Sequence, residues 1–115
     1  MSDRKVILSP RFLKELERLE RKYPRVIDEV SALVSQLNQG QQPGDKIVGV
    51  GYDAYKVRLK NPSSGRGKRG GFRVIYYVHL ANQIFMLSIY AKNQQEDISL
   101  SDIKRIIEAT LSDQS

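Results

Sequence analysis

The chain has 115 residues, 40% of them apolar, with 19 Lys and Arg against 13 Asp and Glu for a formal charge of +6. That length suits one compact domain with one hydrophobic core, so a single unit over residues 1–115 is expected. With no cysteine and one histidine, His79, disulfides, thiolate metal sites and paired-histidine sites are excluded, and no metal or other cofactor is expected. The opening Met1-Ser2-Asp3-Arg4-Lys5 lacks a signal-peptide core, and no stretch reaches the ~20 apolar residues of a membrane span, so a cytosolic protein with no membrane partner is expected.

In chain order, Val6-Ile7-Leu8 is a short apolar run, followed by Ser9-Pro10, where Ser can cap a helix and Pro fits its first turn. Phe12, Leu13, Leu16, Leu19 and Tyr23 then recur at helical spacing with charged residues between them. Pro24 breaks this helix and restarts a second, in which Val26, Ile27, Val30, Leu33, Val34 and Leu37 repeat the pattern up to Asn38 and Gly40. Two adjacent helices predict an antiparallel hairpin. A Gly-, Gln- and Pro-rich loop covers 40–51, with Ile47–Val50 a candidate for a short strand, and a strand follows from Ala54 to Lys60. Phe72–Leu80 and Ile84–Ala91 are rich in Val, Ile, Tyr and Phe and read as a β-hairpin. A last helix begins at Ser99 or Ser101 and carries Ile103, Ile106, Ile107 and Leu111 before a frayed tail from Ser112. The expected fold is therefore α+β in the order β-α-α-β-β-β-α, with the helix hairpin packed on a small, mainly antiparallel sheet and a C-terminal helix.

The positive charge is local. From Ala54 to Gln95 there is no Asp or Glu, yet Lys56, Arg58, Lys60, Arg66, Lys68, Arg69, Arg73 and Lys92 lie there. Cations gathered in one segment make a field that draws a polyanion to one place, and nucleic acid is the foremost polyanion. Strand alternation sorts these residues by face. Val57, Leu59, Phe72, Val74, Tyr76, Val78, Phe85, Leu87 and Ile89 suit the side under the helices. Lys56, Arg58, Lys60, Arg73, Ile75, Tyr77, Ser88, Tyr90 and Lys92 fall opposite. An open face holding Lys56, Arg58, Arg73 and Lys92 around Tyr77 and Tyr90 has the chemistry for a phosphodiester: forked guanidinium donors for phosphate, rings for bases. Against this, Lys and Arg on a strand are most often only a solvated face, Tyr76 reads as a core aromatic, and His79 near the turn reads as a surface residue. The segment 61–71, with Arg66, Lys68 and Arg69 among glycines, suggests a clamp on a sugar-phosphate backbone. It lacks the Gly-Lys-Ser/Thr ending of a P-loop.

Tyr55-Lys-Val-Arg-Leu, then Gly67-Lys-Arg-Gly-Gly-Phe-Arg-Val-Ile-Tyr-Tyr77, then Leu87-Ser-Ile-Tyr-Ala-Lys-Asn93 with Glu96-Asp97 following, resemble the RelE/HigB superfamily of bacterial toxins, nearest its HigB-like branch. The resemblance spans nearly the whole chain. It implies a RelE-like fold and a metal-independent, ribosome-dependent endoribonuclease that cuts translated messenger RNA and is neutralised by a cognate antitoxin. Its partners would be that antitoxin, the ribosome and messenger RNA. Carried onto this sequence, the family pattern implies catalytic roles for Lys56, Arg58, Arg73 and Lys92, to which the reading of the face and the loop adds Tyr90 as a further catalytic candidate and Lys60, Arg66, Lys68, Arg69 and Tyr77 as RNA-binding candidates. RelE-type members place a catalytic tyrosine shortly after the last basic position, where this chain has Ile98, so the general acid and base stay open. Metal-free RNA cleavage needs the 2′-hydroxyl deprotonated, the pentavalent phosphate stabilised and the leaving 5′-oxygen protonated. Arg73 and Arg58 suit the second task. Lys56, crowded by other cations, is a candidate base, and Lys92 or Tyr90 a candidate acid. Two rivals remain: a non-catalytic RNA-binding module, in which Gly71 and Arg73 would sit where stacking aromatics belong, and a ParE-like gyrase inhibitor, which would be expected to lack the basic quartet.

Overall fold

The computed structural model describes residues 4–62, 71–80, 82–95 and 97–113. Among these residues the order is β1 (Lys5–Leu8), α1 (Pro10–Lys22), α2 (Val26–Asn38), β2 (Asp45–Lys46), β3 (Ala54–Leu59), β4 (Phe72–His79), β5 (Gln83–Ala91) and α3 (Leu100–Asp113). The expected order is present, with one short strand added. That strand is Asp45–Lys46 rather than Ile47–Val50, because Ile47 already turns away after donating its N–H to Ala54 O.

The strands form one sheet in the order β1-β5-β4-β3-β2, antiparallel throughout except that β1 runs parallel to β5. Ser9 caps α1 as the sequence suggests, its Oγ accepting from Phe12 N at 3.1 Å, and of the two serines offered for the start of α3 it is Ser99 whose Oγ accepts from Asp102 N, at 3.2 Å. One face of the sheet carries the helix hairpin. Phe12, Leu19, Val26, Val30, Leu33 and Leu37 meet Val57, Phe72, Val74, Tyr76, Ile84, Met86 and Ile89 in a continuous core. Leu13, half exposed at 49%, stays outside it. Tyr76 is a core residue as expected, its hydroxyl donating to Pro43 O at 2.7 Å.

The other face is not open along its length. Ile103 and Ile107 of α3, with Ile47, Val50 and Tyr52, cover a second core made by Ile75, Tyr77, Phe85, Leu87 and Tyr90. A sheet face with that much apolar area must be covered, and α3 is the element available to do it. Phe85 and Leu87 therefore face α3, not the helix hairpin. The cause is a β-bulge: Ile75 pairs with Ser88 and Tyr76 with Met86, leaving Leu87 without a partner on β4. One extra residue inverts the alternation before it while leaving Ile89 on the hairpin side.

The bulge is secured from α1. Ser9 N donates to Met86 O at 3.1 Å, where β1 ends, and α1 then brings Glu15 to the uncovered edge of β5. Glu15 Oε1 accepts from Ser88 Oγ at 2.8 Å and from Ile89 N at 3.1 Å. At the far end Gly71 lets two strands close up: a Cβ there would lie 1.9 Å from Leu59 O. Gly71 O in turn accepts from Lys92 N at 3.0 Å, which holds the residue after β5 beside the start of β4.

Candidate active site

Where α3 and the 47–52 loop stop, the sheet's second face opens as a pocket of about 310 Å³ lined by Lys56, Arg58, Arg73 and Lys92 together with Asp45, Lys46, Ile47, Val48, Asp97 and Leu100. Strand pairing puts the four expected cations there. Arg58 pairs with Arg73 across β3 and β4, and Arg73 with Tyr90 across β4 and β5, so the three form one row on one face. Lys56 lies two residues along β3 on the same face, and Lys92 follows β5 directly. Two arginines set directly opposite each other destabilise a sheet, an arrangement that stability alone does not favour.

The cations are not equivalent. Arg73 is 5% exposed, its guanidinium donating from Nη1 to Phe72 O at 3.2 Å, whereas Arg58 is exposed. Lys56 and Lys92 share one acid, with Nζ–Oδ distances to Asp97 of 3.5 and 3.1 Å. Tyr90, only 3% exposed, donates its hydroxyl to Asp97 Oδ1 at 2.9 Å. Burial, followed by the hydrogen bond and charge of Asp97, pushes the Tyr90 hydroxyl well above the usual phenol value despite opposing help from Ile98's backbone and Arg73, so it stands as a donor. Burial alone would raise the Asp97 carboxyl, but Tyr90, Lys92 and Lys56 together hold it below the usual carboxylate value.

Two features depart from the sequence reading. The cations are not free of acids, since Asp97 pairs with two of them and Asp45 pairs in register with Lys56. The crowding of positive charge around Lys56 is thus offset by Asp97. The tyrosines are not exposed rings for base stacking either. Tyr77, 8% exposed, lies outside the pocket in the α3-covered core, edge-on to Tyr52 at 5.6 Å, with its hydroxyl on His79 Nδ1 at 3.1 Å. Tyr90 does not line the pocket and is joined to it through the bond of its hydroxyl to Asp97. Lys60 is exposed beyond β3 and borders a separate hollow against α2 with Glu29 and Gln36. Arg66, Lys68 and Arg69 lie outside the described residues.

Sequence reasoning missed Asp97 and the apolar rim of Val48 and Leu100, which are 82% and 48% exposed. Asp97 carried a signal, being an acid just past a long acid-free run, but only the turn after β5 shows that it folds back onto Lys56. Among the described residues no group of three or more His, Cys, Asp or Glu is placed to hold a metal ion, and no helix is long and apolar enough to cross a membrane.

Compared with known proteins, the chain is similar in fold to the free state of an arginine double mutant of the E. coli toxin RelE, with a TM-score of 0.53, 19% identity and 97% of each chain covered. The family model described as the RelE toxin of the RelE/RelB toxin–antitoxin system matches residues 12–113, from the first turn of α1 to the end of α3. The chain therefore belongs to the RelE toxin family, a family of toxins that implies an antitoxin partner.

Proposed function

We propose that this toxin is a metal-independent endoribonuclease that cuts messenger RNA on the ribosome, in the cytoplasm, and that a cognate antitoxin neutralises it. The observation that carries the reading is the convergence of Lys56, Arg58, Arg73 and Lys92 on one pocket beneath an apolar rim. The cationic floor suits a phosphodiester, and Val48 and Leu100 offer apolar area to a ribose or base beside it. Buried Arg73 and exposed Arg58, set side by side, stabilise the charge of the pentavalent phosphate. The 2′-hydroxyl loses its proton to water beside the Lys56 ammonium, its oxygen closes on phosphorus, and Lys92 with the Tyr90 hydroxyl protonates the leaving 5′-oxygen, giving a 2′,3′-cyclic phosphate. The Tyr55-to-Leu59, Gly67-to-Tyr77 and Leu87-to-Asn93 segments favour the HigB-like branch of the wider superfamily.

The test is primer extension on a translated messenger with wild type and Arg73→Ala. Expected are cuts that need ribosomes and fall by ~100-fold or more in the variant, the loss typical of removing one preorganised oxyanion donor. Arg73→Lys, with folding checked by circular dichroism, controls for loss of a buried side chain. A folded wild type that cuts nothing overturns the nuclease reading, and full cleavage by Arg73→Ala overturns the role of Arg73.

A further inference from the structure

Three donors from separate parts of the fold converge on one carboxylate. Lys56 Nζ from β3, Lys92 Nζ from the turn after β5 and the Tyr90 hydroxyl from β5 lie 3.5, 3.1 and 2.9 Å from the oxygens of Asp97. A carboxylate resembles a phosphodiester's pair of free oxygens in shape and carries the same single charge. Donors that gather round one are arranged for the other. Asp97 belongs to neither β5 nor α3, and its side chain is 46% exposed beside lysines that are 32% and 37% exposed, so water and solutes reach the contact. Nothing else among the described acids is so placed. Asp45 lines the same pocket, but its side chain makes no ion pair with the quartet among the described contacts.

We infer that Asp97 occupies the seat of the substrate phosphate in the free protein, and that a phosphodiester binds by replacing its carboxylate on Lys56, Lys92 and Tyr90. This rests on the reading of the pocket as the place where RNA is held, and it adds to that reading which three donors take the phosphate and what must leave first. Binding is an exchange of anions. The released carboxylate turns to solvent, and the donors stay where it had kept them.

The sign of one substitution separates this from a structural role. Asp97→Asn keeps the shape and an acceptor for Tyr90 but removes the charge that competes with a ligand. Two probes are titrated into wild type and Asp97→Asn at one ionic strength: inorganic phosphate, followed by the NMR signals of the Lys56 and Lys92 side chains, and a 2′-O-methyl oligoribonucleotide, which cannot be cleaved, followed by fluorescence anisotropy. Removing one partly exposed competitor is expected to tighten both by about tenfold. Tyr90→Phe, which removes a donor, should weaken phosphate in either background. Equal or weaker binding by folded Asp97→Asn overturns the proposal, as does failure of both proteins to bind phosphate. Tighter phosphate binding in a protein that never cuts RNA would leave the exchange standing and remove the nuclease reading alone.

Discussion

Glu15 shows how much can hang on one side chain. Its Oε1 is the acceptor for the fully buried Ser88 hydroxyl and for Ile89 N, on the edge of β5 that β1 no longer covers. Glu15→Ala leaves both donors without that acceptor, and such losses cost about 1–3 kcal/mol. A fall in the urea midpoint with an unchanged slope is the expected result, and the bulge that orients Tyr90 should loosen with it. Leu80 is a smaller case, being exposed and held at φ 59°, where a leucine is strained and an asparagine is at ease. Leu80→Asn should raise stability by about 0.5 kcal/mol, read as a higher melting temperature. Asp97 sets a pH dependence. Its folded carboxyl titrates below the ordinary value, so its ion pairs contribute in full above about pH 4 and are lost as pH falls through the lowered folded pKa. The stability difference between wild type and Asp97→Asn, below about 1 kcal/mol for pairs this exposed, should therefore be present at pH 7 and vanish in strong acid.

At the scale of elements, α3 defines the pocket by what it leaves uncovered. Ile103 and Ile107 are 2% and 0% exposed over the second core, while Leu100 at the helix start stands at the pocket's rim. Ile107→Ala should cost about 2–5 kcal/mol, as truncation of a buried aliphatic does. The strands and helices were legible because each carries its own period and its own boundary residue: Ser9-Pro10 opens α1, Pro24 separates the helices, and the β-branched runs mark β4 and β5. The cationic quartet was legible for the same reason, because Lys56, Arg58 and Arg73 sit on strand stretches where alternation holds. What could not be read depends on contacts distant in sequence. Leu87 looks like any other strand residue until β4 pairs around it, so its bulge, and with it the facing of Phe85, was hidden. Tyr77 looked like an exposed ring because nothing in its neighbourhood announces that α3 lies over it. Asp97 was invisible as a partner because it follows a turn whose course is set by Gly71 and Lys92.

For the molecule as a whole, the charge asymmetry seen in the sequence becomes a spatial one. The acid-free run begins with β3 and ends just after β5, so Lys56 and Arg58 on β3, Arg73 on β4 and Lys92 just past β5 bring cations to the middle of the sheet while the acids lie on other parts of the chain. Association with single-stranded RNA should be governed by this local field. If Lys56, Arg58, Arg73 and Lys92 each neutralise one phosphate, the logarithm of the binding constant should fall against that of salt with a slope of about −3. Each single alanine variant of the four should flatten that slope by about 0.7, and a change no larger than that of Lys14→Ala on α1 would show that the residue lies outside the RNA path.

The parallel pairing of β1 with β5 joins the earliest strand to the latest. During synthesis, residues 5–8 have no neighbour to zip against until residues 83–86 have emerged, and the pocket lacks Lys92 until later still. The sheet therefore cannot close before β5 has been made, and the cationic pocket is the last part of it to be assembled.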